Sequence, residues 1–312
     1  MGSWDQRRNP VQDSTKGVVM MIAACTVWGL SPLFYALLTH VPPFEVLSYR
    51  GLWSLAFFTT ILLLQNRLGD VFRALRVPRN LMIIALAAVM ISMNWFGFIF
   101  AISNGLALEA SLGYYVFPLF AVILGRFAFA EKLSTTQGVA VGIAAIAVLI
   151  LAVGLGVTPW LALMLAATFS VYGTIKKKLD LGPVVSVTAE VLLLSPIFAF
   201  WILSQGGATG HTIGTHLLLA LSGPLTATPL IMFSYAAKRA RMSTIGLVQY
   251  VNPTLQFGCA VFVFSEPFTQ WHAIAFPTIW LALAIYSIAL LRQDRAARKS
   301  TSKAGTSSVI VT

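Results

Sequence analysis

Apolar stretches long enough to cross a lipid bilayer recur along almost the whole of this sequence. A membrane-spanning helix needs about 20 predominantly apolar residues. Ten such stretches are present, at approximately 17–38, 44–65, 80–103, 107–126, 136–153, 157–174, 184–204, 215–236, 243–265 and 270–291. Only 10% of the 312 residues are charged and 58% are hydrophobic, which is too little charge for the surface of a soluble domain. The sequence therefore predicts an all-α membrane protein with ten transmembrane helices.

The basic residues lie in alternate connections between the predicted helices. Twenty of the 21 Lys and Arg residues fall on one side of the membrane when ten helices are assumed, and the positive-inside rule makes that side cytoplasmic. One helix more or fewer would move every later basic connection to the opposite side. The charges therefore predict that both termini are cytoplasmic, and they account for the net charge of +11 without a nucleic-acid partner.

The segments outside the predicted helices are short. The longest connection, from Asn66 to Arg79, is too short for a soluble domain, which excludes a nucleotide-binding module there. Transport by such a chain would depend on gradients. Residues 1–16 form a polar N-terminal segment, and the first helix is too long for a removable signal peptide. The basic, Ser- and Thr-rich tail at 292–312 is predicted to be disordered.

The second half of the chain repeats the first at an offset of 135 residues. A Tyr-Val-x-Pro motif ends at Pro118 in the first half and at Pro253 in the second, and Glu131 and Glu266 follow at the same distance. Because each unit has an odd number of helices, the second unit enters the membrane from the opposite side. Such inverted repeats are typical of secondary transporters, whose site lies near the membrane midplane. The predicted five-helix units are residues 17–153 and 157–291.

Pro118 and Pro253 fall near the middle of the fourth and ninth predicted helices. Each proline removes a backbone donor and leaves a carbonyl free within the bilayer. Because the repeat relates the two prolines, we predict that they mark a hinge or gate at a midplane site. The alternative is a pair of packing kinks without a gating role.

Arg50 and Glu190 are charged residues that the sequence places inside spans, at repeat-related positions near opposite membrane faces. An ionised side chain in hydrocarbon costs about 2.5–3.5 kcal/mol on insertion scales, so each should face a cavity or a partner. The functional hypothesis is that Arg50 binds an anionic group of a substrate and that Glu190 binds a cationic group or a proton, which would be the coupling ion. The alternative is snorkelling or a local ion pair, such as Arg50 with Glu45.

Polar and aromatic residues of other helices complete the predicted substrate site. Gln249, Asn252 and Gln256 recur at spacings of three and four, so they form one polar stripe on the ninth helix. The remaining candidates are Trp28, Ser31, Asn94, Trp95, Tyr114, Tyr115 and Tyr250. They could supply hydrogen bonds and aromatic walls to one cavity. The alternative is hydrogen bonding between helices, which polar residues supply routinely in membrane bundles.

The sequence contains no pattern typical of an enzyme. The four histidines fall at helix ends or outer connections without metal-ligand spacing, and neither a phosphate-binding loop nor a nucleophile elbow occurs. Cys25 and Cys259 lie within apolar stretches, as expected of small buried residues. No metal and no cofactor are therefore expected. Gly138 and Gly142 form a Gly-x-x-x-Gly motif, which permits close helix contact within the chain or in a homodimer.

Four long segments carry a resemblance to a known family. They are Trp28-Gly-Leu-Ser-Pro-Leu-Phe-Tyr35, Asn104-Gly-Leu-Ala-Leu-Glu-Ala-Ser-Leu-Gly-Tyr-Tyr-Val-Phe-Pro118, Leu221-Ser-Gly-Pro-Leu-Thr-Ala-Thr-Pro229 and Gln249-Tyr-Val-Asn-Pro-Thr-Leu-Gln-Phe257. From Lys16 to about Leu291, the chain resembles the RarD group of the EamA-type drug/metabolite transporters.

The resemblance implies a multi-pass permease of the bacterial inner membrane. In such a protein, the predicted helices 1–4 and 6–9 would line a central cavity, and helices 5 and 10 would lie at the periphery. The resemblance also implies export of small metabolites or drug-like compounds, although the group's association with chloramphenicol does not establish a substrate. With the repeat, it predicts a gradient-driven exporter that works by alternating access. The alternative is a membrane receptor or scaffold that binds a small ligand without moving it.

Overall fold

The computed structural model describes residues 10–129, 134–155, 159–205, 211–237, 239 and 248–307. Within these ranges it contains eleven α-helices and one π-helical segment. The helices are α1 (Pro10–Ala36), α2 (Pro43–Leu64), α3 (Leu68–Arg76), α4 (Pro78–Ser103), α5 (Ala107–Phe129), α6 (Thr135–Leu155), α7 (Trp160–Lys178), α8 (Pro183–Ser204), α9 (Ile213–Ala237), α10 (Val251–Gly258), which continues into the π-helical segment Cys259–Val263, and α11 (Gln270–Ser307).

The predicted class, an all-α membrane protein, is confirmed. Of the described helices, seven are long and apolar enough to cross a membrane, namely α1, α2, α4, α6, α8, α9 and α11. The other three predicted spans correspond to α5, to α7 and to α10 with its π-helical continuation. The shorter apolar segments Trp160–Lys176 and Val251–Val263 belong to the last two of these. Residues 240–247, where the ninth predicted span begins, lie outside the described ranges, and so does Glu131. The count of ten spans stays a prediction.

Helix boundaries differ from the sequence prediction in three places. The connection after α2 contains the short helix α3, which buries Val71 and Ala74 and leaves Arg73 paired with Asp70 on its exposed face. Helix α7 continues to Lys178, so the lysines expected in a connection form its last turn. Helix α11 continues to Ser307, although disorder is predicted from residue 292. The segment after residue 291 contains Gln, Ala, Arg and Lys, which favour helix.

Local sequence signals set several helix ends. Helices α2, α4 and α8 each begin at a proline, Pro43, Pro78 and Pro183, because the first helical turn needs no backbone donor from that residue. Gly105 adopts a positive φ of 67° in the short turn between α4 and α5, a conformation that glycine adopts without strain.

Helix α5 begins under a carboxylate that comes from the other end of the chain. The backbone N–H groups of Ala107 and Leu108 donate to the two carboxylate oxygens of Glu266, each at 2.7 Å. A carboxylate at a helix N-terminus satisfies free donors and complements the helix dipole. Burial raises the pKa of the Glu266 carboxyl, and the two backbone hydrogen bonds limit the rise.

The helices of the two halves of the chain pack against each other around a common centre. Helix α2 contacts α8 and α9, α1 contacts α9 and α10, α4 contacts α7 and α8, α5 contacts α7 and α10, and α6 contacts α11. Gly223 makes one of these contacts close, because a Cβ atom there would lie 2.5 Å from the backbone carbonyl carbon of Trp53. The main buried cluster therefore combines side chains from both halves.

Candidate functional site

A cavity of about 400 Å³ lies at the centre of this bundle. Its lining comes from α1, α2, α4, α5, α7, α8, α9 and the segment from Gln249 to Gln256 that enters α10, whereas α6 and α11 contribute no lining residue. This is the arrangement that the family resemblance implies. The volume falls in the range of about 300–1,000 Å³ that is usual for small-molecule sites.

Most of the residues predicted from sequence line this one cavity. Those that do are Trp28, Ser31, Arg50, Asn94, Trp95, Tyr114, Pro118, Gln249, Tyr250, Asn252, Pro253 and Gln256. Tyr115 and Glu190 are not part of the lining. That these side chains bind a substrate stays a prediction, but the helices do bring them to a shared space.

Tyr115 points away from the cavity although its neighbour Tyr114 lines it. Its hydroxyl is 2.8 Å from Thr254 Oγ1, and its ring lies 6.0 Å from that of Phe276 in α11. Successive residues of a helix point about 100° apart, and this rotation directs the Tyr115 side chain toward α10 and α11. Tyr115 is therefore a packing residue between α5, α10 and α11.

The Arg50 guanidinium lies at the cavity with aromatic rings beside it. Its carbon Cζ is 4.6 Å from the centre of the Trp95 ring and 5.4 Å from that of Tyr35. Arg50 is only 7% exposed, and its Nε and Nη1 atoms have no hydrogen-bond partner. Glu45, the alternative ion-pair partner, instead accepts a hydrogen bond from His211 or forms an ion pair with it, at 2.7 Å. Arg50 thus carries a buried positive charge that no described acidic residue pairs with.

Glu190 is compensated within the protein. It is fully buried, and its carboxylate accepts hydrogen bonds from Lys176 at 2.6 Å, Ser186 at 2.8 Å and Tyr172 at 3.1 Å. Lys176 also donates to Ser186 and lines the cavity in front of Glu190. The local ion pair that the sequence left open as an alternative is therefore present at Glu190, with Lys176 as the partner.

Lys176 is a cavity residue that the sequence prediction missed, because its run of three lysines resembled a cytoplasmic connection. Phe169 and Tyr172 also line the cavity from the same helix. The three residues recur at spacings of three and four, which is one face of a helix. That spacing could have identified Lys176 as a residue on the cavity face of the helix. Because the sixth predicted helix ended at residue 174, Lys176 was assigned to the connection instead.

Asn94 joins three helices on one wall of the cavity. Its Nδ2 donates to the Leu165 carbonyl at 3.0 Å and to Thr168 Oγ1 at 3.2 Å, and its Oδ1 accepts from the Tyr114 hydroxyl at 3.1 Å. These contacts link α4, α5 and α7, so the interhelical alternative holds for Asn94. The Ser31 hydroxyl, in contrast, donates within its own helix, to the Trp28 carbonyl at 2.6 Å.

The polar stripe of the ninth predicted helix reaches the cavity, with one acceptor left free. Gln256 Nε2 donates to Asn252 Oδ1 at 3.0 Å, and Gln256 Oε1 is buried without a partner.

Pro253 lies in the first turn of α10 rather than at mid-helix, because helical structure is interrupted at Gln249 and Tyr250. A proline in the first turn costs no hydrogen bond.

Pro118 lies inside the continuous helix α5. Next to it, Ser170 of α7 donates a hydrogen bond to the Phe117 carbonyl at 3.1 Å. Hydroxyl groups of neighbouring helices commonly support backbone carbonyls beside a membrane proline. The two repeat-related prolines thus differ in setting, since Pro118 lies within a continuous helix and Pro253 lies in the first turn of α10. Their gating role stays a prediction.

Aromatic side chains form much of the remaining wall. Four aromatic residues that were not predicted from the sequence also line the cavity, namely Tyr35, Phe98, Phe117 and Phe233. Phe98 follows Asn94 by one helical turn and Tyr35 follows Ser31 by one turn, so helical spacing from a predicted residue could have identified both. Among the residues that the structure describes, no group of three or more His, Cys, Asp or Glu could hold a metal ion.

An all-α membrane protein with a central polar and aromatic cavity is the class that this geometry defines. Residues 15–153 match the EamA-like transporter family. The RarD protein of Streptomyces exfoliatus is 42% identical over 287 residues, 90% of this chain and 91% of that protein. The chain belongs to the EamA-like transporter family.

Further relatives extend over almost the full chain. The uncharacterized transporter YojE of Bacillus subtilis is 38% identical over 292 residues, which cover 92% of this chain and 98% of that protein. The RarD protein of Escherichia coli is 32% identical over 293 residues, 92% of this chain and 99% of that protein. Relatives whose names state an activity are transporters, not enzymes. A crystal structure with 18% identity superposes with a TM-score of 0.59 over 89% of this chain and 99% of the other, which shows the fold alone.

Proposed function

We propose that this protein is a secondary-active transporter that exports a small metabolite or drug-like compound by alternating access. The observation that carries the proposal is the central cavity, whose lining combines buried polar groups and aromatic rings from both halves of the chain. Membership of a transporter family supports it. A transporter of this kind has two partners, a small-molecule substrate and the lipid bilayer.

Support for an inverted repeat comes from the helix contacts. If α1, α2, α4, α5 and α6 are exchanged with α7, α8, α9, α10 and α11 respectively, the main contacts between the two halves are preserved. The contact of α5 with α7 becomes that of α10 with α1, and the contact of α2 with α9 becomes that of α8 with α4. Two halves related in this way can rock against each other about a central site.

The orientation follows from the basic connections, with both termini in the cytoplasm of a bacterial cell and the protein in the inner membrane. In this orientation Arg50 lies toward the outer end of the cavity and Lys176 toward the cytoplasmic end. Contacts between the halves at the outer side include Glu45 with His211 and His40 with Thr215. These contacts would separate when the protein opens outward.

The proton is the proposed coupling ion, with Glu190 as its carrier. Glu190 is fully buried behind Lys176, which itself lines the cavity. Protonation of Glu190 would remove the countercharge of Lys176, and this would change the charge that the cavity presents at its cytoplasmic end. Transport that is coupled in this way depends on the pH gradient and loses that dependence in Glu190→Gln.

Flux measurements test the proposed function. Metabolites secreted by cells with and without the gene identify compounds whose export depends on it, and purified protein in liposomes is then assayed with those compounds. We expect saturable flux that requires a gradient. Binding without saturable flux would instead indicate a receptor or scaffold, and a chemically altered ligand would indicate an enzyme.

A further inference from the structure

We infer that the cavity takes a small organic monoanion, whose carboxylate is bound by Arg50 and whose apolar, aromatic body lies against the neighbouring rings. The inference rests on the proposed function for its transport role, but the binding site stands on the geometry of the cavity alone.

The first step is the unpartnered state of the Arg50 guanidinium. Its Nε and Nη1 atoms are buried and donate to no acceptor, and a buried donor without an acceptor is costly. Trp95 and Tyr35 stabilise the charge through their ring faces. A ring face accepts no hydrogen bond from the N–H groups of the guanidinium, which lie in its plane and require acceptors in that plane. A carboxylate supplies two such acceptors in matching geometry.

The second step is the charge of the lining. Among the described residues, the charged side chains that line the cavity are Arg50 and Lys176, and no Asp or Glu belongs to the lining. Lys176 is paired with Glu190 at 2.6 Å. One positive charge is therefore left uncompensated in the described part of the cavity. One uncompensated charge matches a monoanion better than a dianion or a zwitterion, because Glu190 is already engaged and does not reach the lining.

The third step is the chemistry of the walls beside Arg50. Trp95 and Tyr35 lie against its guanidinium, and Phe98 packs edge-on to Tyr35 with ring centres 5.8 Å apart. Such faces and edges favour a flat apolar body, since aromatic rings attract one another in stacked and edge-on arrangements. The free Oε1 of Gln256 adds one acceptor for an O–H or N–H group of the ligand.

The wild-type protein provides the first test. Purified protein in detergent is titrated with 3-phenylpropionate and with 3-phenylpropanamide, which have the same shape but differ in charge. Binding is followed by the fluorescence of the protein's tryptophans, of which Trp28 and Trp95 line the cavity. We expect the carboxylate to bind about tenfold more tightly or better, as for a charge-assisted hydrogen bond. Equal or tighter binding of the amide would overturn the inference.

Two variants locate the effect. Arg50→Gln should reduce carboxylate binding to the level of the amide, whereas Arg50→Lys should retain part of the preference. The matched control is Arg239→Gln, because the Arg239 guanidinium also lies over an aromatic ring, 3.6 Å from the centre of Tyr235, but is absent from the cavity lining. A preference that survives in folded Arg50→Gln would contradict the assignment. If that variant does not fold, the wild-type comparison and Arg50→Lys still decide.

Flux in liposomes separates this inference from the proposed function. Saturable flux of the carboxylate that exceeds that of the amide supports both. Preferential carboxylate binding without saturable flux of either probe would support the anion site and contradict transport. Equal saturable flux of both probes, unchanged in Arg50→Gln, would support transport and overturn the anion site.

Discussion

At the residue scale, the two cationic side chains of the cavity are held in different ways. Lys176 is a compact ammonium, and the hydroxyl groups of Tyr172 and Ser186 hydrogen-bond to it or to its partner Glu190. Arg50 is a flat guanidinium, and ring faces beside it leave its hydrogen-bonding fork free. The difference follows from the two functional groups, since an ammonium acts as a point charge and a guanidinium presents both a face and a fork. The charge of Lys176 thus belongs to an ion pair within the protein, whereas that of Arg50 has no countercharge among the described residues.

The Lys176–Glu190 pair yields a stability prediction. Glu190→Gln should lower the free energy of unfolding by about 3 kcal/mol, because it leaves a largely buried ammonium without its countercharge. Partial solvent contact of Lys176, whose side chain is 22% exposed, places the effect at the low end of the range for broken buried pairs. Denaturant unfolding in detergent micelles measures it.

Two further variants control this prediction. The double replacement Lys176→Met with Glu190→Gln should recover more than half of the loss, since no unpaired charge then remains. Asp70→Asn breaks the exposed contacts with Arg67 and Arg73 on α3 and should change the stability by less than about 1 kcal/mol. If Glu190→Gln costs no more than Asp70→Asn, the pair is not structural.

At the element scale, close backbone contact fixes the position of α9 against α2. Gly223 lies against the backbone of Trp53 and Ser54, and Ser54 Oγ donates to the Gly223 carbonyl at 3.4 Å. Lipid provides no hydrophobic driving force for two apolar helices to associate, so van der Waals packing at small residues and hydrogen bonds hold them together. By contrast, the Gly138 and Gly142 motif of α6 makes no such contact with the part of the chain that the structure describes, and a role in a homodimer stays a prediction.

The α2–α9 contact predicts unequal effects of two glycine replacements. Gly223→Ala should destabilise the protein by about 1–3 kcal/mol, because the new Cβ atom would lie 2.5 Å from a backbone carbon and the helices must separate. Gly138→Ala meets no atom within 4 Å and should be neutral or stabilising by up to about 1 kcal/mol through helix propensity. Thermal unfolding of both variants measures the difference, and equal effects would contradict the packing account.

The same scale shows how far the sequence predicted the helices. The apolar stretches located the spans that became α2, α4, α6 and α8 to within a few residues, because lipid requires both length and hydrophobicity of each helix. The ends of α7 and α11 were not predicted. Residues with high helix propensity extend those two helices beyond their apolar segments. A prediction from hydropathy ends a helix where the apolar residues end, so it misses such extensions.

At the scale of the whole molecule, the halves of the chain meet around the cavity and on the side of the bundle that the basic connections predict to be the outer one. His211 contacts Glu45 at 2.7 Å, and His40 contacts Thr215 at 3.1 Å. Each contact joins the first half of the chain to the second. If the halves rock against each other, these contacts must break and reform in every transport cycle, so a covalent bond between them should stop the cycle.

Cross-linking at this outer contact tests the rocking mechanism. Glu45→Cys with His211→Cys, in a background where Cys25 and Cys259 are replaced by Ala, should lose most saturable flux when a short bifunctional methanethiosulfonate reagent links the two thiols. Reduction, which releases the reagent, should restore the flux. Ligand binding should persist in the cross-linked protein, as in the Cys25→Ala, Cys259→Ala background, because neither Glu45 nor His211 is among the lining residues of the cavity. The single cysteine variants should respond to neither treatment. Undiminished flux in fully cross-linked protein would contradict alternating access between these halves.

The sequence by itself determined the class of this protein and the approximate place of its helices, because a chain with 58% hydrophobic and 10% charged residues must satisfy its backbone within lipid. It also predicted that a group of polar and aromatic residues faces one cavity. Only the tertiary structure decided which of them face the cavity. Tyr115 hydrogen-bonds to Thr254 outside the cavity lining, and Glu190 forms an ion pair with Lys176. Arg50 lies against aromatic rings and has no countercharge among the described residues. Those outcomes depend on packing between distant helices, which hydropathy and spacing along the chain do not specify.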